Sequence, residues 1–385
     1  MPVSRPGFRI SRGRFLRTAG TLLGSGLAVA SGAGAAFAAS SSESSRESSG
    51  GAGGKVLHQP QVEAKRLGNL TGPGLTTEFR MEATDLGAPT ITPDGRMLFV
   101  FGDTFEDACV GCGWWRSPTG LYSTTTDLNG GLKWSGAVTG DAGGAKQLLA
   151  YEHNNGEFTT ILPSDVITIG DTMYLHASAV AGLGNTVWSG IWQSKDNGTS
   201  WQDTGTRFAP DLHDGLFQLW TWEQGDDGFI YVFSTMFDRT REMILHRVPT
   251  EKILDANAYQ PWGYQDEHWA WGNPPTPVLD GKFGEMCLRR IEDVWMLTWL
   301  NITDGRMDCM ILNSPTDNLF EAHRVPLLWG TSWGNEDDYH VAQMYGPYII
   351  PGSTLDELHL MVSQWNTEQG WPYHVMQFRF RNFAP

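Results

Sequence analysis

The chain has 385 residues, with 43 Asp and Glu against 27 Lys and Arg, giving a formal net charge of -16. Such acidity repels phosphate backbones and argues against nucleic acid as a partner. An apolar content of 40%, 46 glycines, 17 tryptophans and short β-rich runs broken by Gly, Pro, Asn and Asp point to an all-β chain with a real core rather than a helical one.

Residues 1–38 read as an export signal. Arg5, Arg9, Arg12, Arg14 and Arg17 precede a weakly apolar Gly/Ala-rich stretch, and Ala36-Phe37-Ala38 offers a small-x-small cleavage site. The run SRGRFLR, residues 11–17, is similar to the twin-arginine export motif, but Gly13 replaces its second arginine, so the Sec route stays open. A secreted, extracellular or envelope location is expected. Residues 39–59 form a Ser/Gly-rich linker that can bury no surface. Residues 60–385 show no break in composition and read as a single domain. No later run reaches the roughly 18 apolar residues of a membrane span.

Five β-rich blocks follow, over residues 84–140, 160–209, 215–262, 283–329 and 343–383. Three or four strands each, recurring about every 50 residues, predict a five-bladed β-propeller. In the second block SKDNGTSW, residues 194–201, fits the Asp-box turn, a structural device in which Asp196 caps, Gly198 takes a positive φ and Trp201 anchors.

Export permits disulfides. Cys109 and Cys112 in CVGC could close a small loop, and Cys287 and Cys309 could pair across strands. A zinc site would need a second close cysteine pair, and none is present. No metal and no cofactor are expected.

The first block raises the functional question. In TDLGAPTITPDGRMLFVFGDTFED, residues 84–107, Asp85 and Asp103 lie nine residues either side of Asp94 in the TPDG turn. Antiparallel pairing carries both carboxylates to the open end of the hairpin. Two acids at one propeller mouth suggest glycoside hydrolysis, where one carboxyl stays protonated to serve the leaving oxygen and the other stays ionised. Burial raises a carboxyl pKa. On that ground Asp103, ending a strand apolar on both faces, is expected to be the acid, and Asp85, on a loop, the base. Directly opposed carboxyls would sit near the retaining separation of about 5 Å, so inversion requires Asp85 to splay away.

The same stretch, with GWWRSPTGLYSTTTD, GEMCLRR, YGPYIIPGS and VSQWN, resembles a family of actinobacterial secreted proteins, the endo-D-arabinanases of glycoside hydrolase family 183. The similarity spans roughly residues 65–383. It implies a five-bladed propeller, inverting endo-hydrolysis of α-D-arabinofuranosyl linkages in the D-arabinan of arabinogalactan or lipoarabinomannan, and catalysis by Asp85 and Asp103.

Further candidates follow in chain order. Trp114 and Trp115 could stack on sugar faces, and Arg116 could bind hydroxyls or orient Asp103. Trp220 and Trp222, two apart on a strand, share a face and form one cluster, core or site. Glu285 and Arg289 could contact substrate or form a structural ion pair with each other. Gln364 and Asn366 end a last-blade strand beside the first blade, with polar tips suited to furanose hydroxyls. His153 and His213 read as solvated loop residues. The expected protein is a monomer acting on D-arabinan. The alternative is a non-catalytic, lectin-like propeller. A sialidase-like enzyme would need an arginine triad that the sequence does not display.

Overall fold

The computed structural model describes residues 62–384, so the export signal (1–38) and the linker (39–59) lie outside the described residues. The chain opens with strand β1 (Glu63–Asn69) and then builds five antiparallel sheets in succession. Blade I holds β2 (Ala83–Ile91), β3 (Met97–Phe105), β4 (Thr119–Ser123) and β5 (Trp134–Ala137). Blade II holds β6 (Thr160–Ile169), β7 (Thr172–Val180), β8 (Thr186–Ser194) and β9 (Gln202–Phe208). Blade III holds β10 (Leu219–Gln224), β11 (Phe229–Thr235), β12 (Ile244–Pro249), β13 (Gln260–Gln265) and β14 (His268–Trp271).

Blade IV holds β15 (Phe283–Ile291), β16 (Val294–Asn301), β17 (Arg306–Leu312), β18 (Arg324–Thr331) and β19 (His340–Ala342), the last pairing parallel. Blade V holds β20 (Met344–Ile349), β21 (Leu358–Trp365) and β22 (Tyr373–Arg381), and β1 returns from the start of the chain as its outermost strand. The innermost strands β2, β6, β10, β15 and β20 touch in that order, and β20 touches β2, closing a five-bladed propeller. Among the described residues no helix is long and apolar enough to cross a membrane.

The inner strands are buried because each is flanked by two other blades, so they read as apolar runs rather than alternating ones. The second strands are sealed as well: Leu98, Phe99, Val100 and Phe101 of β3 have no exposed surface, and the same holds for Met296 and Leu297 of β16. Each buried side chain of this size contributes on the order of 2 kcal/mol. Between blades II and III, Phe208, Phe217, Trp220, Trp222 and Tyr259 pack edge to face, tilted or stacked, with ring centroids 4.6 to 5.9 Å apart for neighbouring pairs. Trp220 and Trp222 are 1% and 0% exposed, so they are core and not substrate platforms.

A polar cluster on the innermost strands ties the blades together. Asp165 of β6 is fully buried and accepts from Arg289 of β15 at 2.7 and 2.9 Å and from the Thr221 hydroxyl of β10 at 2.6 Å. Arg289 also donates to the Pro89 carbonyl of β2 at 3.0 Å, and the Tyr348 hydroxyl of β20 donates to the Ser164 carbonyl at 2.8 Å. All five blades therefore enter one hydrogen-bonded set. Arg289 belongs to this cluster, which corrects both its substrate-binding reading and its pairing with Glu285.

The Asp-box forms as expected. Asp196 accepts from the Ser200 amide at 2.9 Å and hydroxyl at 2.6 Å, Gly198 has φ 84°, and the Trp201 indole donates to the Gly198 carbonyl at 3.0 Å. Asn197 accepts from the Asp94 amide at 3.1 Å, which pins this turn to the TPDG turn of blade I. Cys109 and Cys112 are bonded, whereas Cys287 and Cys309 are free and buried. The expected second disulfide fails because β16 runs between the two, with Thr298 paired to both cysteines. Two strand spacings, about 9.6 Å, exceed what a disulfide spans.

Candidate active site

The innermost strands all start at one mouth of the ring and end at the other, and the Asp pair sits where they start. The β2–β3 hairpin keeps the register centred on Asp94, but two bulges interrupt it. Thr84 pairs Thr104 and Leu86 pairs Phe101, so Gly102 and Asp103 together oppose Asp85. The next pair is Ala88 with Val100, which leaves Gly87 extra on β2 and restores the register. Leu86 at φ 65° and Gly87 at φ 100° supply the left-handed turn this requires. The Thr84 and Thr104 hydroxyls bond at 2.7 Å on one face, so Asp85 and Asp103 emerge together on the other.

Asp85 lies inside β2 and is 9% exposed, not on a loop as expected. Its Oδ2 accepts from the Tyr345 hydroxyl at 2.9 Å, while its Oδ1 is buried with no partner among the described residues. Burial pushes this carboxyl up to about 7; the charge of Asp103 pushes the same way, and the Tyr373 and Tyr345 hydroxyls pull back. Asp103 is half-buried, and its Oδ1 accepts from the Trp115 indole at 2.7 Å and from the Thr160 hydroxyl at 3.2 Å. Burial pushes it up to about 6, opposed by hydrogen bonds from Trp115, Thr160 and Ser117. The burial order is thus the reverse of the expected one. Asp85, the more buried of the two, is the carboxyl raised further.

Close to Asp85 lies an ion pair that the sequence did not disclose. Arg239, from the loop between β11 and β12, donates to Glu285 Oε1 of β15 at 2.5 Å. Its guanidinium stands over the Tyr345 ring, 5.1 Å from the centroid. Glu285 therefore faces the mouth with Arg239 as its partner, not Arg289. Its Oε2 is buried and unpartnered among the described residues.

The remaining candidates divide between support and structure. Trp115 stacks on His153 at 3.8 Å and lies nearly parallel to Phe105 at 6.0 Å, so its indole N–H orients Asp103 while its ring is held. His153 is accordingly a packed residue, not a solvated one. Trp114 is partly exposed beneath the Arg80 and Arg116 guanidinium groups, at 5.0 and 4.1 Å. Arg116 is 1% exposed and donates to the carbonyls of Ala145, Arg80 and Trp114; it touches no carboxylate, and burial lowers its pKa to about 10.

Gln364 is 2% exposed, donates to Glu336 and to the Ala342 carbonyl, and its Oε1 accepts from His374 Nε2 at 2.9 Å. Asn366 is 5% exposed and caps a turn by accepting from the Glu368 and Gln369 amides at 3.2 and 3.0 Å. Gln364 therefore has both ends of its amide engaged within the protein, which corrects its reading, and the Asn366 Oδ1 is engaged in its own turn. Tyr345, Tyr373 and Arg239 were missed because they lie 150 or more positions away along the chain from Asp85 and reach it only through ring closure.

Comparison with known proteins adds the following. A family model described as a domain of unknown function, DUF4185, matches residues 71–379. A Mycolicibacterium smegmatis protein described as an uncharacterized 35.9 kDa protein in the asd 3' region is 29% identical over 340 residues, covering 83% of this chain and 99% of that one. Notoamide biosynthesis cluster protein J' of Aspergillus versicolor is 31% identical over 312 residues, covering 74% of this chain and 81% of that one. Among solved structures, a candidate hydrolase from Bacteroides ovatus superposes with a TM-score of 0.55 at 13% identity, over 79% of this chain and 86% of that one. At that identity the likeness speaks to the fold alone.

Proposed function

The chain belongs to the DUF4185 family, and from that premise and the paired aspartates we propose that it is a glycoside hydrolase acting at the Asp85–Asp103 mouth. The finer reading is a secreted, monomeric endo-D-arabinanase that cleaves α-D-arabinofuranosyl linkages with inversion. The observation that carries the proposal is the pair itself: two carboxyls on one face of one hairpin, raised to about 7 and about 6 respectively. Between those values one is protonated and the other ionised, the state that acid–base glycoside cleavage requires. The two carboxyls titrate as a pair, and the deeper burial of Asp85 favours the proton there.

Asp85 delivers a proton to the departing glycosidic oxygen, and Asp103, fixed by Trp115 and Thr160, takes a proton from the attacking water. The C–O bond to the leaving sugar breaks as the water oxygen bonds the anomeric carbon. The resemblance of residues 65–383 to endo-D-arabinanases supports D-arabinan as the polymer. No cofactor enters this reading.

The test is release of arabino-oligosaccharides from arabinogalactan. Asp85→Asn and Asp103→Asn should each cut release by at least about 10³-fold while leaving the circular dichroism spectrum intact. Binding of the polymer by wild type without any release would favour the lectin-like alternative. Proton NMR of the first anomer released decides between inversion and retention.

A further inference from the structure

Arg239 is held by more protein than a surface arginine needs. Its backbone takes φ 64°, a left-handed conformation that a non-glycine residue adopts only when its surroundings fix it. Its aliphatic stem lies over Gly284 of β15, where an added Cβ would fall 3.1 Å from Arg239 Cδ and 2.8 Å from Leu300 Cδ2. Its guanidinium is fixed by Glu285 and by the Tyr345 ring, the same tyrosine whose hydroxyl binds Asp85. Yet the side chain remains 37% exposed while the Glu285 side chain is 7% exposed. One end of the guanidinium is thus anchored in protein and the other looks into the mouth, where no further partner for it exists among the described residues.

The charge balance restricts what it can bind. Glu285 already neutralises the cation, and Asp103 leaves the mouth negative when ionised. A carboxylated or phosphorylated sugar would meet that charge unfavourably. An uncharged sugar would meet rigid N–H donors pointed at its hydroxyls, the fork geometry that makes arginine more than a point charge.

We propose that Arg239, positioned by Glu285 and Tyr345, is the residue that grips the hydroxyls of an uncharged glycosyl unit beside Asp85, and so sets the site's preference for neutral glycans. This rests on the hydrolase reading and names the substrate-selecting group of the same site. Arg239 also links sugar binding to the acid, because Tyr345 touches both.

The experiment uses the full chain in two measurements. In an Asp103→Asn background, calorimetric binding of a neutral D-arabino-oligosaccharide should weaken at least about tenfold with Arg239→Met, and less with Arg239→Lys. The double variant Arg239→Met, Glu285→Gln removes the cation and its counter-charge together, and should bind as poorly as Arg239→Met. Unchanged affinity in both overturns the proposal.

The second measurement needs no substrate. The Asp85 carboxyl, followed by carbon NMR against pH, should titrate at a higher pH in Arg239→Met than in the wild type, since a nearby cation is lost. If no oligosaccharide binds the Asp103→Asn protein, the hydrolase reading falls and the sugar-gripping role of Arg239 falls with it; if oligosaccharide binds but the midpoint is unmoved, the link between Arg239 and Asp85 is overturned.

Discussion

Each carboxyl of the pair is tuned by a different neighbour, and single atoms decide the outcome. Gly102 is the narrowest point, because a Cβ there would stand 2.3 Å from Asp85 Oδ1. Gly102→Ala must displace that carboxyl, and we expect kcat to fall about 10²-fold with the spectrum of the folded state unchanged. Tyr345→Phe removes a hydrogen bond that favours the ionised form of Asp85. The alkaline limb of the pH–rate profile should then move up by about half to one unit.

In the wild type that profile should be bell-shaped, with limbs near 6 and 7. Activity falls below the lower limb as Asp103 gains a proton and above the upper limb as Asp85 loses one. A profile flat from pH 5 to 8, a range chosen to bracket both limbs, would contradict the assignment. The pair was legible in the sequence because a tight turn and even spacing fix a hairpin register. The order of burial was not, because it depends on a bulge and on tyrosines from blade V.

At the level of strands and turns, five blocks of β-rich sequence correspond to five sheets because inner strands leave continuous apolar runs. The strands that were not legible are the outer ones. β1 reads EAKRLGN, and of its seven residues only Ala64 is buried. An edge strand needs only its backbone to pair, so its side chains carry little signal. The tryptophans misled for a related reason. Trp220 and Trp222 do share a face, but alternation cannot say whether that face meets a ligand or another blade.

The Asp-box lies at the far end of its blade from the aspartates, joined to the TPDG turn. Asp196→Ala should therefore cost about 1 kcal/mol of stability in denaturant titration and leave kcat/KM unchanged.

Across the whole molecule, function and stability pull against each other. Asp85 has its folded-state carboxyl raised from 3.8 to about 7. The folded state therefore binds more protons than the unfolded chain between those values, and stability falls as pH rises through that window. Asp85→Asn should abolish turnover and yet stabilise the protein by a few kcal/mol at pH 8, with little gain at pH 4, as read from thermal unfolding at both values.

The polar cluster behaves oppositely. Arg289→Met strands the buried Asp165 carboxylate and should cost about 3 to 5 kcal/mol at neutral pH. None of this cross-ring wiring was legible in the sequence, since Asp165 and Arg289 sit 124 positions apart with no local pattern joining them.

Blade V is stitched from both ends of the described chain, with Glu63 registered against Arg381 and Asn69 against Met376. A growing polypeptide therefore cannot latch its circle until β22 has been synthesised. Until then the flank of blade I that will receive β20 stays wet and sticky. Maturation of this protein is a race in which the last strand to arrive rescues the first.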